Sequence, residues 1–234
     1  MIGHTSIVNC LAKAGSNKEE EYLVSSSENG EMKLWEINQK KCVENIKMSN
    51  TIHKNIYSSK VNGKYTRLFC IGNYTDVLVM DPISLDILYT LVSREQHQWI
   101  NALCINTLGN KQDEVIVGVS VSGTIKLWTV NAQEQKGSEI VEHEFKNCSC
   151  ENASTLTSCP GKQRIFIVVC PKFFQIFDAF DFTVLCQVTI NSLPKEDQTN
   201  NNTVTFISGF FIDVENILIC ASNGYAYLYM LPDK

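Results

Sequence analysis

Whatever chemistry this chain can do must come from four histidines, ten cysteines and a scatter of carboxylates. His4, His53, His97 and His143 are far apart, with no H-x-x-x-H pairing of the kind that brings two imidazoles onto one metal. No G-x-S-x-G elbow presents a nucleophilic serine. No glycine loop is built to hold phosphate, because Gly161-Lys162 is followed by Gln163. There is no C-x-x-C pair either; Cys148 and Cys150 stand one residue apart, with Cys159 further on. Cys42, Cys70, Cys104, Cys170, Cys186 and Cys220 lie inside apolar runs, where a free thiol behaves as a small buried hydrophobe. No catalytic, metal-binding or cofactor-binding residue is therefore expected. One polar set has a different meaning. His4, Ser25 or Ser27, Asn29 and Trp35 are spaced to form a buried hydrogen-bond network, with Ser27 taken as the hydroxyl; Asn29 lacks the charge of an aspartate there, which weakens it.

The elements that would position these residues repeat along the chain. Leu23 to Trp35, Val117 to Trp128 and Ile217 to Tyr229 each read as an apolar strand, a short polar turn with Gly30, Gly123 or Gly224, and a second strand ending in an aromatic. Asn-Gly and Ser-Gly supply the positive φ that a tight hairpin requires. Two weaker copies end in Met80-Asp81 and Phe177-Asp178. The equivalent positions Trp35, Met80, Trp128, Phe177 and Tyr229 are 45, 48, 49 and 52 residues apart. That period is slightly above the roughly 40–45 residues of a WD40 blade. Within the first period, strands are predicted at Ile7–Leu11, Tyr22–Ser26, Met32–Glu36 and Cys42–Ile46. Gly3-His4 precedes the first of them, with His4 31 residues before Trp35, as in a WD40 signature. The other blades have no aligned histidine; Gln96 takes the place in the third, and His97 is one residue off. No helical periodicity lasts twelve residues, which excludes βαβ architectures. The fold expected is an all-β, WD40-type β-propeller of about five degenerate four-stranded antiparallel blades, an incomplete propeller in one domain over 1–234. Its blades fall at about 3–48, 52–93, 97–131, 145–190 and 203–232. The aromatic strand ends, and Trp99 at the start of the third blade, are read as core.

Composition narrows the function. The chain is 44% apolar and 19% charged, as a folded chain should be. A net charge of -5 with scattered Lys and Arg argues against nucleic acid as the main partner. No apolar h-region opens the sequence, and apolar runs such as Ile165 to Cys170 are strand-sized, so direct membrane insertion is not expected. The acidic runs Glu19-Glu20-Glu21 and Glu139 to Glu144 read as solvated loops. Asn191 to Thr203 reads as a loop between blades, and the sequons at Asn73, Asn147, Asn152 and Asn201 carry no meaning in a chain outside the secretory path.

Gly3 to Ala14, Tyr22 to Ile37, Leu85 to Ser93, Ser122 to Trp128 and Val168 to Ala179, in that order, resemble the amino-terminal propeller of the WD repeat-containing protein 7 family, the beta subunits of the rabconnectin complex. Asn223 to Pro232 resembles the last blade before that family's linker. The resemblance implies a non-enzymatic scaffold without cofactors. Its implied partners are the rabconnectin alpha subunit and subunits of the vacuolar proton ATPase, whose assembly the complex regulates. The implied location is cytoplasmic, peripheral on endosomal or secretory vesicle membranes through those partners. The family's protein is much longer, so the chain is expected to be a fragment, an isoform or an incomplete gene model. Two blade faces left open would each forgo roughly 10 kcal/mol if they expose about 400 Å² of apolar surface. A scaffold of another trafficking or chromatin complex, and a propeller hydrolase, are the alternative readings.

Overall fold

A computed structural model describes residues 3–16, 21–61, 64–93, 97–107, 113–131, 139–140, 143–145, 150–161, 165–194 and 204–231. The expectations placed on Glu19, Glu20, Gln96, Asn147, Cys148, Lys162, Gln163 and residues 195–203 fall outside these residues.

The described chain is all-β, with no α-helix and one 3-10 turn at Ile190–Ser192. The first sheet takes β1 (Val8–Ser16), β2 (Glu21–Ser27), β3 (Glu31–Glu36) and β4 (Lys41–Lys47) in chain order. The second holds β5 (His53–Val61), β6 (Lys64–Gly72), β7 (Tyr74–Met80) and β8 (Ile87–Val92). The third is β9 (Ile100–Thr107), β10 (Asp113–Ser120), β11 (Ile125–Asn131) and the short β13 (His143–Phe145); β12 (Glu139–Ile140) instead runs parallel to β8 as a fifth strand of the second sheet. The fourth is β14 (Thr155–Ser158), β15 (Ile165–Val169), β16 (Phe173–Asp178) and β17 (Val184–Thr189). The fifth has three strands, β18 (Phe206–Phe211), β19 (Asn216–Ala221) and β20 (Ala226–Met230). Five successive antiparallel sheets of this kind are consistent with WD40-type propeller blades.

The chain groups into two compact units. One is Met1–Ile100, Gly109–Ile116 and Leu127–His143, the other Asn101–Leu108, Val117–Lys126 and Glu144–Lys234. In the first unit, Ala14, Val24, Met32 and Leu34 of the first sheet pack on Ile56, Leu68, Cys70 and Met80 of the second. In the second unit, Ile167, Val169, Phe174 and Ile176 pack on Phe206, Phe211, Ile217 and Ile219. Period-two alternation makes these faces: Val24 and Leu34 are register partners on neighbouring strands and both point inward.

The repeat is written into irregularities as well as strands. A register shift falls between Leu34 and Trp35, between Val79 and Met80, and between Ile176 and Phe177, the same point of three sheets. Such a bulge re-aims the side chains that follow it. Five residues on, Lys40, Leu85 and Phe182 take φ values of 56, 58 and 59°. A left-handed Leu or Phe is strained by about 1–2 kcal/mol. Burial of both side chains offsets the strain, and so do the backbone bonds Leu85 N–H to Asp81 O at 3.1 Å and Phe182 N–H to Asp178 O at 2.9 Å. The two aspartates clip these turns. Asp81 Oδ1 accepts from Ile83 N–H at 2.8 Å and Ser84 N–H at 2.9 Å, and Asp178 Oδ1 from Phe180 N–H at 2.8 Å. The hairpin glycines Gly30, Gly123 and Gly224 have φ of 79, 84 and 86°.

Cys70, Cys104 and Cys170 are buried, but Cys42, Cys186 and Cys220 are only half so, because they sit on strands with one solvated face. Trp99, expected in the core, is 48% exposed. Alternation carries the neighbouring Ile100 inward and turns Trp99 out.

Candidate functional site

The richest polar constellation gathers around the first sheet. The indole Nε1–H of Trp35 can only donate, and it donates to Ser25 Oγ at 2.8 Å. The single hydroxyl hydrogen of Ser25 is then left for His4 Nε2, 2.6 Å away. That assigns the imidazole proton to Nδ1, which donates to Glu31 Oε2 at 3.2 Å. Lys33 Nζ lies 3.4 Å from the other Glu31 oxygen. Every bond of the chain thus points toward one carboxylate, a polarised series in a region where Ser25 is 2% exposed. Burial pushes the Glu31 carboxyl up, but the His4 hydrogen bond and the Lys33 ammonium outweigh it and hold the group below the usual carboxylate range.

The hydroxyl in the network is that of Ser25, not the expected Ser27. Ser27 donates to Asn29 Oδ1 at 2.6 Å, and Asn29 Oδ1 also accepts from Glu31 N–H at 3.1 Å. Those two residues knit the hairpin turn around Gly30, while Asn29 Nδ2 reaches Thr5 Oγ1 at 3.2 Å. Glu31, not Asn29, faces His4. Residues 25 and 27 share one side of β2, so spacing alone does not separate them. The register does, because Ser25 pairs with Lys33 beside Trp35. Ser25→Ala should strand the Trp35 N–H and the His4 nitrogen, costing about 2 kcal/mol; Ser27→Ala should cost about half that. Urea midpoints of the two variants check the ranking.

Serine, histidine and glutamate in this order share the connectivity of a nucleophilic triad. The geometry does different work. Ser25 Oγ accepts a hydrogen bond from an indole and is sealed from solvent, so no carbonyl carbon can approach it. The network clips the segment before β1 onto β2 and β3.

The equivalent aromatic positions are filled differently in the other sheets. Gly118 stands where Ser25 would, ten residues before Trp128, so the Trp128 indole N–H turns to the Val92 carbonyl at 3.3 Å. His97 is out at the surface, 3.7 Å from Asp76. Met80 accepts from the Cys70 thiol at 3.6 Å, and Phe177 stacks on Phe166 with centroids 5.1 Å apart. Tyr229 is half-buried against Phe174 at 5.0 Å.

Sequence spacing gave no hint of two buried titratable groups. His53 is 0% exposed; its Nδ1 is 2.7 Å from the Tyr74 hydroxyl and its Nε2 has no hydrogen-bond partner among the described residues. Its carbonyl accepts from Ser26 Oγ at 2.9 Å and Asn9 Nδ2 at 3.2 Å, joining the first two sheets. Burial lowers the imidazole from 6.5 to about 4. The unfolded chain therefore takes up a proton below pH 6.5 that the folded form refuses. Stability should be full above pH 6.5 and fall as the pH drops toward 4, by up to about 3 kcal/mol. Urea titrations at pH 7 and pH 5 should show the fall, and His53→Gln should flatten it. The second group, Glu114, lies 1% exposed beside Arg67.

Residues 1–36, which contain the whole His4–Ser25–Glu31–Trp35 network, match the family model of the WD domain, G-beta repeat. Among curated proteins, the chain is similar over its whole described span to WD repeat-containing protein 72. The mouse protein is 29% identical over 241 residues, covering 100% of this chain and 21% of the relative. The Pongo abelii protein is 31% identical over 238 residues, covering 99% and 20%, and the Homo sapiens protein 29% over 238 residues, with the same shares. The chain spans about a fifth of the length of these relatives. The resemblance to WD repeat-containing protein 7 is corrected by these matches, which bear a different name. Blade motifs are shared across WD-repeat proteins, so motifs of this kind do not by themselves single out one such protein. Nothing supports the rabconnectin alpha subunit or the vacuolar ATPase subunits as partners, nor a role in vesicle acidification.

Proposed function

We propose that this chain is a non-enzymatic protein-interaction scaffold, a series of WD-type sheets whose connecting loops and exposed strands meet partner proteins. The observation that supports the reading best is the polar network of the first sheet. Its serine, histidine and carboxylate are committed to one another and to an indole, and so hold a loop in place instead of facing a substrate. WD-repeat domains in general mediate protein–protein contacts, an argument from the fold class that needs its own test. Chemical cross-linking of the full chain in cells, followed by purification under denaturing conditions, should recover reproducible protein adducts. Recovery of the chain alone, at several cross-linker spans, would reject the scaffold.

The hydrolase reading has one feature in its favour, the triad-like order at Ser25, and a direct test. A fluorophosphonate probe should leave Ser25 unlabelled in the folded chain; labelling that His4→Ala abolishes would turn the proposal toward an esterase. Among the described residues no helix is long and apolar enough to cross a membrane. The cytoplasmic location is part of the proposal, and a fluorescent fusion of the full chain tests it. Nuclear accumulation would favour a chromatin scaffold over a trafficking one.

A further inference from the structure

The three tryptophans are not alike. Trp35 and Trp128 are 5% and 1% exposed, whereas Trp99 shows 48% of its surface to solvent. It immediately precedes β9, and the ammonium of Lys54, on β5, lies over its ring at 5.3 Å from the centroid. Lys54 makes no ion pair among the described residues. A large rigid aromatic is thus held in water beside a cation that no carboxylate among the described residues answers. Trp is over-represented among residues that dominate binding energy at protein interfaces, because one side chain buries much area at little entropic cost.

We propose that Trp99 and Lys54 anchor a binding site for a segment of a partner protein that carries a carboxylate beside an apolar side chain. The apolar group covers the free area of the indole, and the carboxylate takes the ammonium, which stays on the ring as the third member. Burying the ring removes water from around the ion pair and strengthens it. The Lys54 aliphatic stem adds apolar contact along the same line. Single-stranded nucleic acid could use the same pair, stacking a base and binding a phosphate. The net charge of -5 repels the serial phosphates of a strand more than a single carboxylate, which favours the peptide. This inference rests on the scaffold reading and narrows it to one surface.

A random peptide library displayed on phage, selected against the full chain, tests it. The expected winners pair Asp or Glu with an apolar residue at the next or second-next position. Their affinity should drop at least tenfold in Trp99→Ala and at least fivefold in Lys54→Glu, with the thermal midpoint of both variants within about two degrees of the parent. An oligo-dT strand of a dozen nucleotides should not compete. Winners that are basic, or that bind the two variants as well as the parent, overturn the site while leaving the scaffold reading to the cross-linking result. So does an empty selection. Competition by oligo-dT that Trp99→Ala abolishes overturns the peptide in favour of nucleic acid.

Discussion

Replacing Arg67 by methionine should destabilise the chain by about 3–5 kcal/mol at pH 7.5, the usual cost of stranding one member of a buried ion pair. Arg67 and Glu114 are 2% and 1% exposed. Their closest atoms are 3.9 Å apart, Ser59 donates its hydroxyl to the other Glu114 oxygen, and the guanidinium lies over the Tyr89 ring at 5.7 Å. Methionine keeps the aliphatic stem and so isolates the loss of charge. The pH dependence has a definite sign. Burial raises the Glu114 carboxyl, and the Ser59 hydroxyl and Arg67 only partly bring it back. A carboxyl raised in the folded state favours folding while it is protonated and loses that advantage as the pH climbs through its folded value. Removing Arg67 raises it further, so the penalty of Arg67→Met should shrink markedly between pH 7.5 and pH 5. The double variant Arg67→Met with Glu114→Met should recover most of the loss, since apolar replacement of a whole buried pair is often close to neutral. Chemical denaturation of the parent, the single variant and the double variant at both pH values measures this; a single-variant penalty under about 1 kcal/mol, or one that grows toward pH 5, would refute the account.

The pair also marks where sequence reading stopped. Arg67 and Glu114 carry no signal in the sequence, because a charged residue on a strand reads as the solvated side of an alternation. What places Glu114 beside Arg67 is long-range packing of β10 near β6, which no local pattern encodes. The hairpin glycines were legible for the opposite reason. Positive φ has a residue signature, and Gly30, Gly123 and Gly224 carry it. Leu85 and Phe182 adopt the same left-handed conformation with side chains that advertise nothing of the kind; burial holds them there. Glu31 carries a readable signal. It lies on the same side of β3 as Lys33 and Trp35, two and four residues on, so a carboxylate near His4 follows from strand geometry once Ser25 is chosen over Ser27. Trp99 had one too, in the alternation that sends Ile100 inward. At Trp99 the period outweighs hydrophobicity.

The three hairpin glycines look equivalent in sequence, yet they should respond very differently to alanine. All three would strain the backbone, because a Cβ in the left-handed region costs about 1–2 kcal/mol. At Gly224 that is the whole effect, since a Cβ there would meet nothing within 4 Å. At Gly30 it would stand 2.5 Å from the Met48 carbonyl oxygen and 3.2 Å from that of Thr51. Both atoms are backbone; Met48 is held by the bond from its N–H to the Gly30 carbonyl at 3.0 Å, and Thr51 by the bond from its N–H to the Met48 carbonyl at 3.3 Å. The turn cannot back away without breaking the first bond, so the connector into the second sheet must shift and carry His53 with it. Overpacking of this kind adds about 1–3 kcal/mol. Gly30→Ala should therefore lose about 4 kcal/mol and Gly224→Ala about 1 kcal/mol. Gly123→Ala should fall near Gly30→Ala, because its Cβ would approach Glu151 N at 2.7 Å and the Cys150 backbone at 2.8 Å. Denaturant midpoints of the three variants, taken with the pH 7 to pH 5 slope that reports on His53, separate strain from collision. If Gly30→Ala costs no more than Gly224→Ala, or leaves the His53 slope unchanged, the glycine serves only the turn, and the coupling of hairpin to connector inferred from the contacts is wrong.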